Sequence, residues 1–132
     1  MTNSCRTFLT FQGGVGLDAV HFYTSLFEDS EIVSLHTYDA EGPGPEGTLL
    51  TAHFRIGGQD FLASDSFINH EWDFTPAVAV WVEADSEDQF ERIFDALSDA
   101  GKVHMPPDNY GFSRRFAWTD DRFGVSWQLS LE

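Results

Sequence analysis

The glycines of the stretch FQGGVGLDAVHFY, residues 11–23, have a spacing that invites a chemical interpretation. A glycine-rich loop that opens a helix can cradle a phosphate with its backbone amides. A dinucleotide fingerprint requires Gly-x-Gly-x-x-Gly, whereas Gly13, Gly14 and Gly16 lie too close together. No Walker lysine accompanies them, because Lys102 is the single lysine of the chain. The glycines therefore predict a tight strand-to-helix connection and no nucleotide or S-adenosylmethionine loop.

Ser64, Asp65, Ser66 and His70 contain the residue types of a nucleophilic triad. The surrounding sequence shows neither a strained nucleophile elbow nor an oxyanion hole, so polar loop residues are the better interpretation. Cys5 has no evident base to activate its thiol.

Two further pairs of side chains could bind a metal ion or catalyse proton transfer. His36 and His53 lie on neighbouring predicted strands and could face one another, but a metal site needs about three donors, and a surface or structural role is favoured. Asp120 and Asp121 could act as general acid and base, yet they occupy a predicted hairpin turn, where Asp is favoured for backbone reasons.

Composition narrows the classes of function. The net charge of −15 leaves little to neutralise phosphates and argues against nucleic-acid binding. Such acidity fits a solvated surface, attraction of a cationic ligand or a protein partner. No long apolar run or signal segment is visible, so we expect a cytoplasmic protein that does not enter a membrane. The 13 Phe and 4 Trp residues indicate a packed core, and the single cysteine rules out an intrachain disulfide.

Hydrophobic periodicity divides the chain into two similar halves, each with its own predicted helix and strands. Val20, Tyr23 and Phe27 have helical spacing in the first half, and a helix capped by Ser86 and Gln89 and ending near Gly101 is predicted in the second. Strands are predicted at residues 7–11, 31–38, 49–56, 59–64, 77–82, 102–104, 112–118 and 125–131. The pattern predicts β-α-β-β-β twice.

A constant shift of 70 residues superposes the halves, with Phe8 on Val78 and Val20 on Phe90. The sequence thus predicts a duplicated βαβββ unit in one compact α+β domain. Residues 1–66 form the first module, 67–76 the connector and 77–132 the second module.

The duplicated pattern, with FY in the first helix, resembles the vicinal oxygen chelate superfamily of glyoxalase I, bleomycin-resistance proteins and extradiol dioxygenases. The stretches FLTFQG, GPGPEGTLLTAHFRIGGQDFLASD and DRFGVSWQL resemble its PhnB-like branch, often labelled 3-demethylubiquinone-9 3-methyltransferase. The resemblance covers nearly the whole chain and implies two half-barrel sheets around a cavity. Methyl transfer is not expected, because the chain shows no S-adenosylmethionine loop.

The resemblance also implies where metal ligands would lie. In metal-dependent members, His or Glu residues occupy fixed strand positions, which here fall on Phe8, Val78 and Gln128, with a further position around residues 63–65. Phe and Val donate nothing to a metal and Gln is a weak ligand. We therefore expect neither a catalytic metal nor another cofactor.

Aromatic side chains with a few polar anchors are typical of ligand cavities. Arg114 and Arg115 are adjacent, so only one of them can face a cavity. The cavity candidates are Phe8, Thr10, Phe67, Trp72, Val78, Val80, Tyr110, Arg114, Trp118, Trp127 and Gln128.

Three functions are compatible with this sequence. The first is metal-independent binding or sequestration of a small aromatic or cationic molecule. The second is a lyase, isomerase or oxygenase with an unconventional site, in which Gln128 and Thr10 polarise the substrate. The third is a structural or regulatory dimer whose barrel is filled by its core. The resemblance and the unpaired sheet edges favour a homodimer.

Overall fold

A computed structural model describes residues 3–132, which form two compact units divided between Glu71 and Trp72. The division lies inside the predicted connector. The first unit contains β1 (Thr7–Gln12), α1 (Gly16–Leu26), β2 (Ser30–Thr37), β3 (Leu49–Ile56) and β4 (Gln59–Ser66). The second contains β5 (Ala79–Glu83), α2 (Glu87–Ser98), β6 (Lys102–Asp108), β7 (Arg115–Asp120) and β8 (Ser126–Leu131).

Both units have the same topology. The strand orders are β1-β4-β3-β2 and β5-β8-β7-β6. The first strand of each unit pairs in parallel with the last, and the other neighbours are antiparallel. The predicted duplication of a βαβββ unit is therefore confirmed.

Each helix covers one face of its own sheet. Leu9 and Phe11 of β1 are buried, as are Val20 and Tyr23 of α1. In the second unit, Arg115 pairs with Glu91 of α2 and lies 5.4 Å from the ring of Phe90. Because side chains alternate along a strand, the other face of each sheet points away from the helix. We call it the outer face.

The shift of 70 residues that relates the helices does not extend to the first strands. The helix-facing residues of β5 are Val80 and Val82, which pair with Trp127 and Leu129, so Leu9 corresponds to Val80 with a shift of 71. The second unit has one residue fewer between strand and helix because it lacks the Gly13–Gly14 turn, where both glycines have positive φ. The counterpart of Phe8 is thus Ala79 and not Val78.

A buried carboxylate sets the start of α1. The backbone N–H of Gly16 donates to Oδ1 of Asp65 at 2.7 Å, and that of Leu49 donates to Oδ2 at 2.8 Å. Asp65 thereby joins β4 to the start of the helix, where negative charge is favoured. A Cβ atom at position 16 would lie 2.7 Å from Oδ1. The glycine thus permits a close approach within the fold.

The helix α2 begins and ends slightly differently from expectation. Ser86 accepts from the N–H of Gln89 as predicted, but the Gln89 side chain accepts from the N–H of Asp85. The left-handed residue after the helix is Ala100, with φ of 58°. Gly101 is needed for another reason, because a Cβ there would lie 2.0 Å from the carbonyl oxygen of Asp120.

We predict that Gly16→Ala lowers the free energy of unfolding by about 2 kcal/mol, because the methyl group separates Asp65 from the helix start. Chemical denaturation measures the change. In an Asp65→Ala background the same substitution should cost less than about 0.5 kcal/mol, since the clash is gone. Equal costs in both backgrounds would contradict the proposed contact.

Candidate functional site

The outer face of the second sheet carries an aromatic cluster formed by Trp81, Tyr110, Phe112 and Phe116. The Phe116 side chain is 3% exposed, and its ring centroid lies 4.9 Å from that of Phe112, 5.9 Å from that of Trp81 and 6.0 Å from that of Tyr110. Phe112 and Trp81 remain 59% and 50% exposed. The cluster therefore exposes the rings of Phe112 and Trp81 while the buried ring of Phe116 supports them.

A row of side chains extends from this cluster across the outer face. Gln128 of β8 is paired with Trp81 on one side and with Trp118 on the other, and Trp118 is paired with Met105. At a strand spacing of about 4.8 Å, the row spans about 14 Å. Nε1 of Trp118 donates to Oγ of Ser126 at 2.8 Å, which fixes the indole. Gln128 thus provides an amide between two tryptophans.

Only part of the predicted cavity set belongs to this face. Tyr110, Trp118 and Gln128 do. Val80 and Trp127, which were also predicted for the cavity, lie instead on the helix-facing side of the second sheet. Trp127 is fully buried, and its Nε1 donates to Oδ2 of Asp121 at 2.9 Å.

Other predicted residues lie elsewhere. Val78 precedes β5 and is 75% exposed, so alternation along the strand does not orient it. Arg114 is exposed in the bend before β7, and Trp72 is exposed at the start of the second unit. Phe67 follows β4 in the first unit, where its ring and that of Tyr38 make an edge-to-face contact with centroids 6.1 Å apart.

Phe8 and Thr10 lie on the outer face of the first sheet. Phe8 is 53% exposed and pairs with Leu62, while Thr10 pairs with Ser64. A shallow depression of about 280 Å³ lies in the same unit, lined by Thr37, Tyr38, Asp39, Gly42, Pro43 and Leu50. Its lining includes none of the predicted cavity residues.

The residues that could form a nucleophilic triad do not all lie on the same face of the first sheet. Oγ of Ser66 lies 2.8 Å from Nε2 of His70, and the N–H of His70 donates to Oε1 of Gln12 at 2.7 Å. Asp65 points to the helix side, where both carboxylate oxygens accept backbone N–H groups. It therefore does not orient His70.

The two predicted strand histidines do not face one another. His53 pairs with Ser34, and His36 pairs with Thr51. Nε2 of His53 lies 2.8 Å from Oδ1 of Asp60, which also accepts from Nε of Arg55 at 3.1 Å. These contacts, led by the hydrogen bond with His53, hold the pKa of Asp60 below its ordinary value of 3.8.

The residues present do not fit the divalent metal that the superfamily resemblance implies. Phe8 and its counterpart Ala79 have no donor atom, and Gln128 is a neutral amide between two indoles. Across residues 3–132, no three side chains of His, Cys, Asp or Glu converge to hold an ion. Both carboxylate oxygens of Asp65 already accept hydrogen bonds from backbone N–H groups.

The set predicted from sequence lacks Trp81, Phe112, Phe116 and His104. The stretch AVAVWVEA suggests a uniformly apolar strand, although Glu83 stands two residues after Trp81 and shares its face. A charged residue at that spacing is the signal that could have identified Trp81 as outward-facing.

We predict that His53→Leu raises the pKa of Asp60 toward 3.8, because the largest cause of its depression is removed. The carboxyl ¹³C titration measured by NMR follows this change. A depressed carboxyl pKa stabilises the folded state above the ordinary pKa, and this contribution is lost as pH falls through the folded value. His36→Leu is the control; an equal effect there would contradict the assignment.

We also predict that tag-free protein, incubated with Zn²⁺, Ni²⁺, Mn²⁺ or Fe²⁺ and then desalted, retains no stoichiometric metal. The reason is the donor set at positions 8, 79 and 128. Elemental analysis by mass spectrometry provides the measurement, and one tightly held ion per chain would disprove it.

Comparisons with known proteins agree with this fold. Residues 3–130 match the family described as 3-demethylubiquinone-9 3-methyltransferase. A solved structure from Bacillus cereus, described as a PhnB protein and candidate 3-demethylubiquinone-9 3-methyltransferase, is 45% identical, with a TM-score of 0.93 over 98% of this chain and 100% of that chain. Protein YjdN of Escherichia coli is 25% identical over 87 residues, which are 66% of this chain and 58% of YjdN, so the match spans less than two thirds of that relative.

A more distant solved structure shows the fold alone. The fosfomycin resistance protein FosX from Listeria monocytogenes, solved as a mutant with Mn(II) and a dihydroxypropylphosphonic acid, is 12% identical with a TM-score of 0.65, covering 98% of this chain and 92% of that chain. The matching family, the Bacillus cereus relative and the two βαβββ units together establish that the chain belongs to the PhnB-like family described as 3-demethylubiquinone-9 3-methyltransferase, which has the glyoxalase-like fold of the vicinal oxygen chelate superfamily.

Proposed function

We propose that this protein binds or sequesters a small planar aromatic molecule on the outer face of its second unit, without a metal ion. One observation carries the proposal: Trp81 and Phe112 are half exposed, yet both are held against the buried ring of Phe116. Exposed aromatic side chains on a rigid support are typical of ligand sites.

The cluster is preorganised for stacking. Phe116 contacts three other rings, and the hydroxyl of Tyr110 donates to the carbonyl oxygen of Pro106 at 2.6 Å. Side chains fixed before binding lose little conformational entropy when a ligand arrives. A planar ring on Trp81 would gain about 0.5–1.5 kcal/mol from aromatic contact beyond the area that it buries.

Gln128 supplies a polar anchor at the edge of the cluster. Its amide lies between Trp81 and Trp118 and has both a donor and an acceptor, so it can fix the orientation of a carbonyl or a ring nitrogen. The position to which the superfamily resemblance assigns a metal-binding Glu would thus serve recognition through hydrogen bonds.

The family description names a methyltransferase, but we do not take the activity of this chain from that description. The turn with Gly13, Gly14 and Gly16 meets the chain's own Asp65, whose carboxylate takes the place that a phosphate would occupy in a cofactor cradle. Methyl transfer is therefore not part of the proposal. Resistance to fosfomycin is a property named for FosX, and the low identity does not extend it to this chain.

The homodimer and the cytoplasmic location remain predictions. Neither helix within residues 3–132 is long and apolar enough to cross a membrane. A homodimer is supported by two of the sheet edges. The edge strands β2 and β6 contain register shifts, and β6 also contains Pro106 and Pro107, whereas the pairings of β1 and β5 are regular. Regular edges are the ones suited to pairing.

We predict that acridine, an uncharged tricyclic probe at about pH 8, binds the wild-type protein and binds Trp81→Ala about tenfold more weakly, because a stacking partner is lost. Isothermal titration calorimetry provides the affinities. Trp72→Ala is the matched control, since Trp72 is 54% exposed but outside the cluster. No binding to wild type, or an equal loss in both variants, would refute the proposed site.

A further inference from the structure

A histidine and a carboxylate lie beside the aromatic cluster, on the same outer face. Nε2 of His104 is 3.0 Å from Oδ1 of Asp120, and the side chains are 19% and 17% exposed. The imidazole also rests on Trp118, with ring centroids 5.1 Å apart. Asp120 follows Trp118 by two residues on β7, so its side chain points to the same face.

The contact between the two side chains does not complete a hydrogen bond. Nε2 of His104 and Oδ1 of Asp120 are both withdrawn from solvent, and their angle leaves each without a hydrogen-bonding partner among residues 3–132. A largely buried carboxylate oxygen that lacks a donor carries a substantial desolvation cost. Since Oδ1 itself is closed to solvent, a ligand can reach this carboxylate only at its exposed part, where a cationic donor would offset the negative charge that both oxygens share.

The surrounding charges favour a cationic donor over a neutral one. Among the ion pairs of residues 3–132, Arg55 binds Glu31 and Asp60, and Arg115 binds Glu91, while His104 is the basic partner of Asp120. Lys102 is paired with Asp120 across β6 and β7, but the ion pairs of these residues do not include it. The protein as a whole has a net charge of −15. The adjacent face of Trp118 adds an attraction for cations through its π system.

We propose that Asp120, with His104, forms an ammonium subsite that selects a cationic ligand. The inference rests on the proposed function and specifies its ligand class: a planar aromatic body that carries a protonated nitrogen. The aromatic body lies on the cluster, and the nitrogen donates to the exposed part of the Asp120 carboxylate. Successive outward residues of β7 are about 7 Å apart, so the two ligand parts are separated by about 7–14 Å.

The test compares 9-(6-aminohexyl)acridine, whose tail places an ammonium group about 10 Å from the ring centre at about pH 8, with uncharged 9-hexylacridine on the full chain. Wild type should prefer the cation by about tenfold or more, as expected for a hydrogen bond to a charged group. Asp120→Asn should reduce this preference to about twofold or less while the affinity for 9-hexylacridine stays unchanged. Calorimetry at low salt gives all four affinities.

Asp95→Asn is the matched control, because it removes the same charge from an exposed position on α2. If it lowers the preference as much as Asp120→Asn, the net charge is responsible and the subsite is refuted. If wild type binds both probes equally, the subsite is refuted while the proposed function stands. If neither probe binds, both fall.

A second measurement does not depend on the folding of a variant. In wild-type protein, 9-(6-aminohexyl)acridine should shift the side-chain carboxyl ¹³C resonance of Asp120, and 9-hexylacridine should leave it in place. A shift confined to other carboxylates, or the same shift with both probes, would overturn the proposal.

Discussion

A single helix covers each four-stranded sheet, and this constraint determines which residues of this protein can act on other molecules. A strand sends alternate side chains to opposite faces, so a sheet with one helix has one face committed to its core. In the second unit the helix-facing residues of β8 are apolar and buried, including Trp127 and Leu129. The outer face is left to carry Trp81, Gln128 and Trp118 in one row. The division between core and candidate site follows from this alternation.

Two buried carboxylates hold the connections between these elements. Asp65 holds the start of α1 and the start of β3 through backbone N–H groups. Asp121 has a corresponding role in the turn before β8, where it accepts from the N–H groups of Phe123 and Val125 and from the indole of Trp127. The segment DRFGVSWQ, which looks like a family signature, is therefore explained as a turn built around one aspartate. Charged residues that suggest catalysis in a sequence can be structural in this way.

The fold was predictable because its signals are local. Helical spacing, the Ser86 cap and the turn residues all act within a few positions, and the element order followed from them. The site was less predictable, since its residues meet only through register. One missing residue between β5 and α2 shifts the counterpart of Phe8 to Ala79 and turns Val80 toward the helix. His104 gave no signal, because a register shift in β6 lies beside it and its neighbours Trp118 and Asp120 are on another strand.

The placement of the tryptophans gives the two units different optical properties. All four tryptophans, at positions 72, 81, 118 and 127, belong to the second unit, while the first unit contains only Tyr23 and Tyr38 as hydroxyl-bearing aromatics. Indole emission excited at the red edge of protein absorption thus originates from one half of the chain. It combines two indoles that donate to neighbouring side chains with two that are half exposed to solvent. The first unit contributes no indole emission of its own in that window, so its tyrosines are the intrinsic probes of its structure.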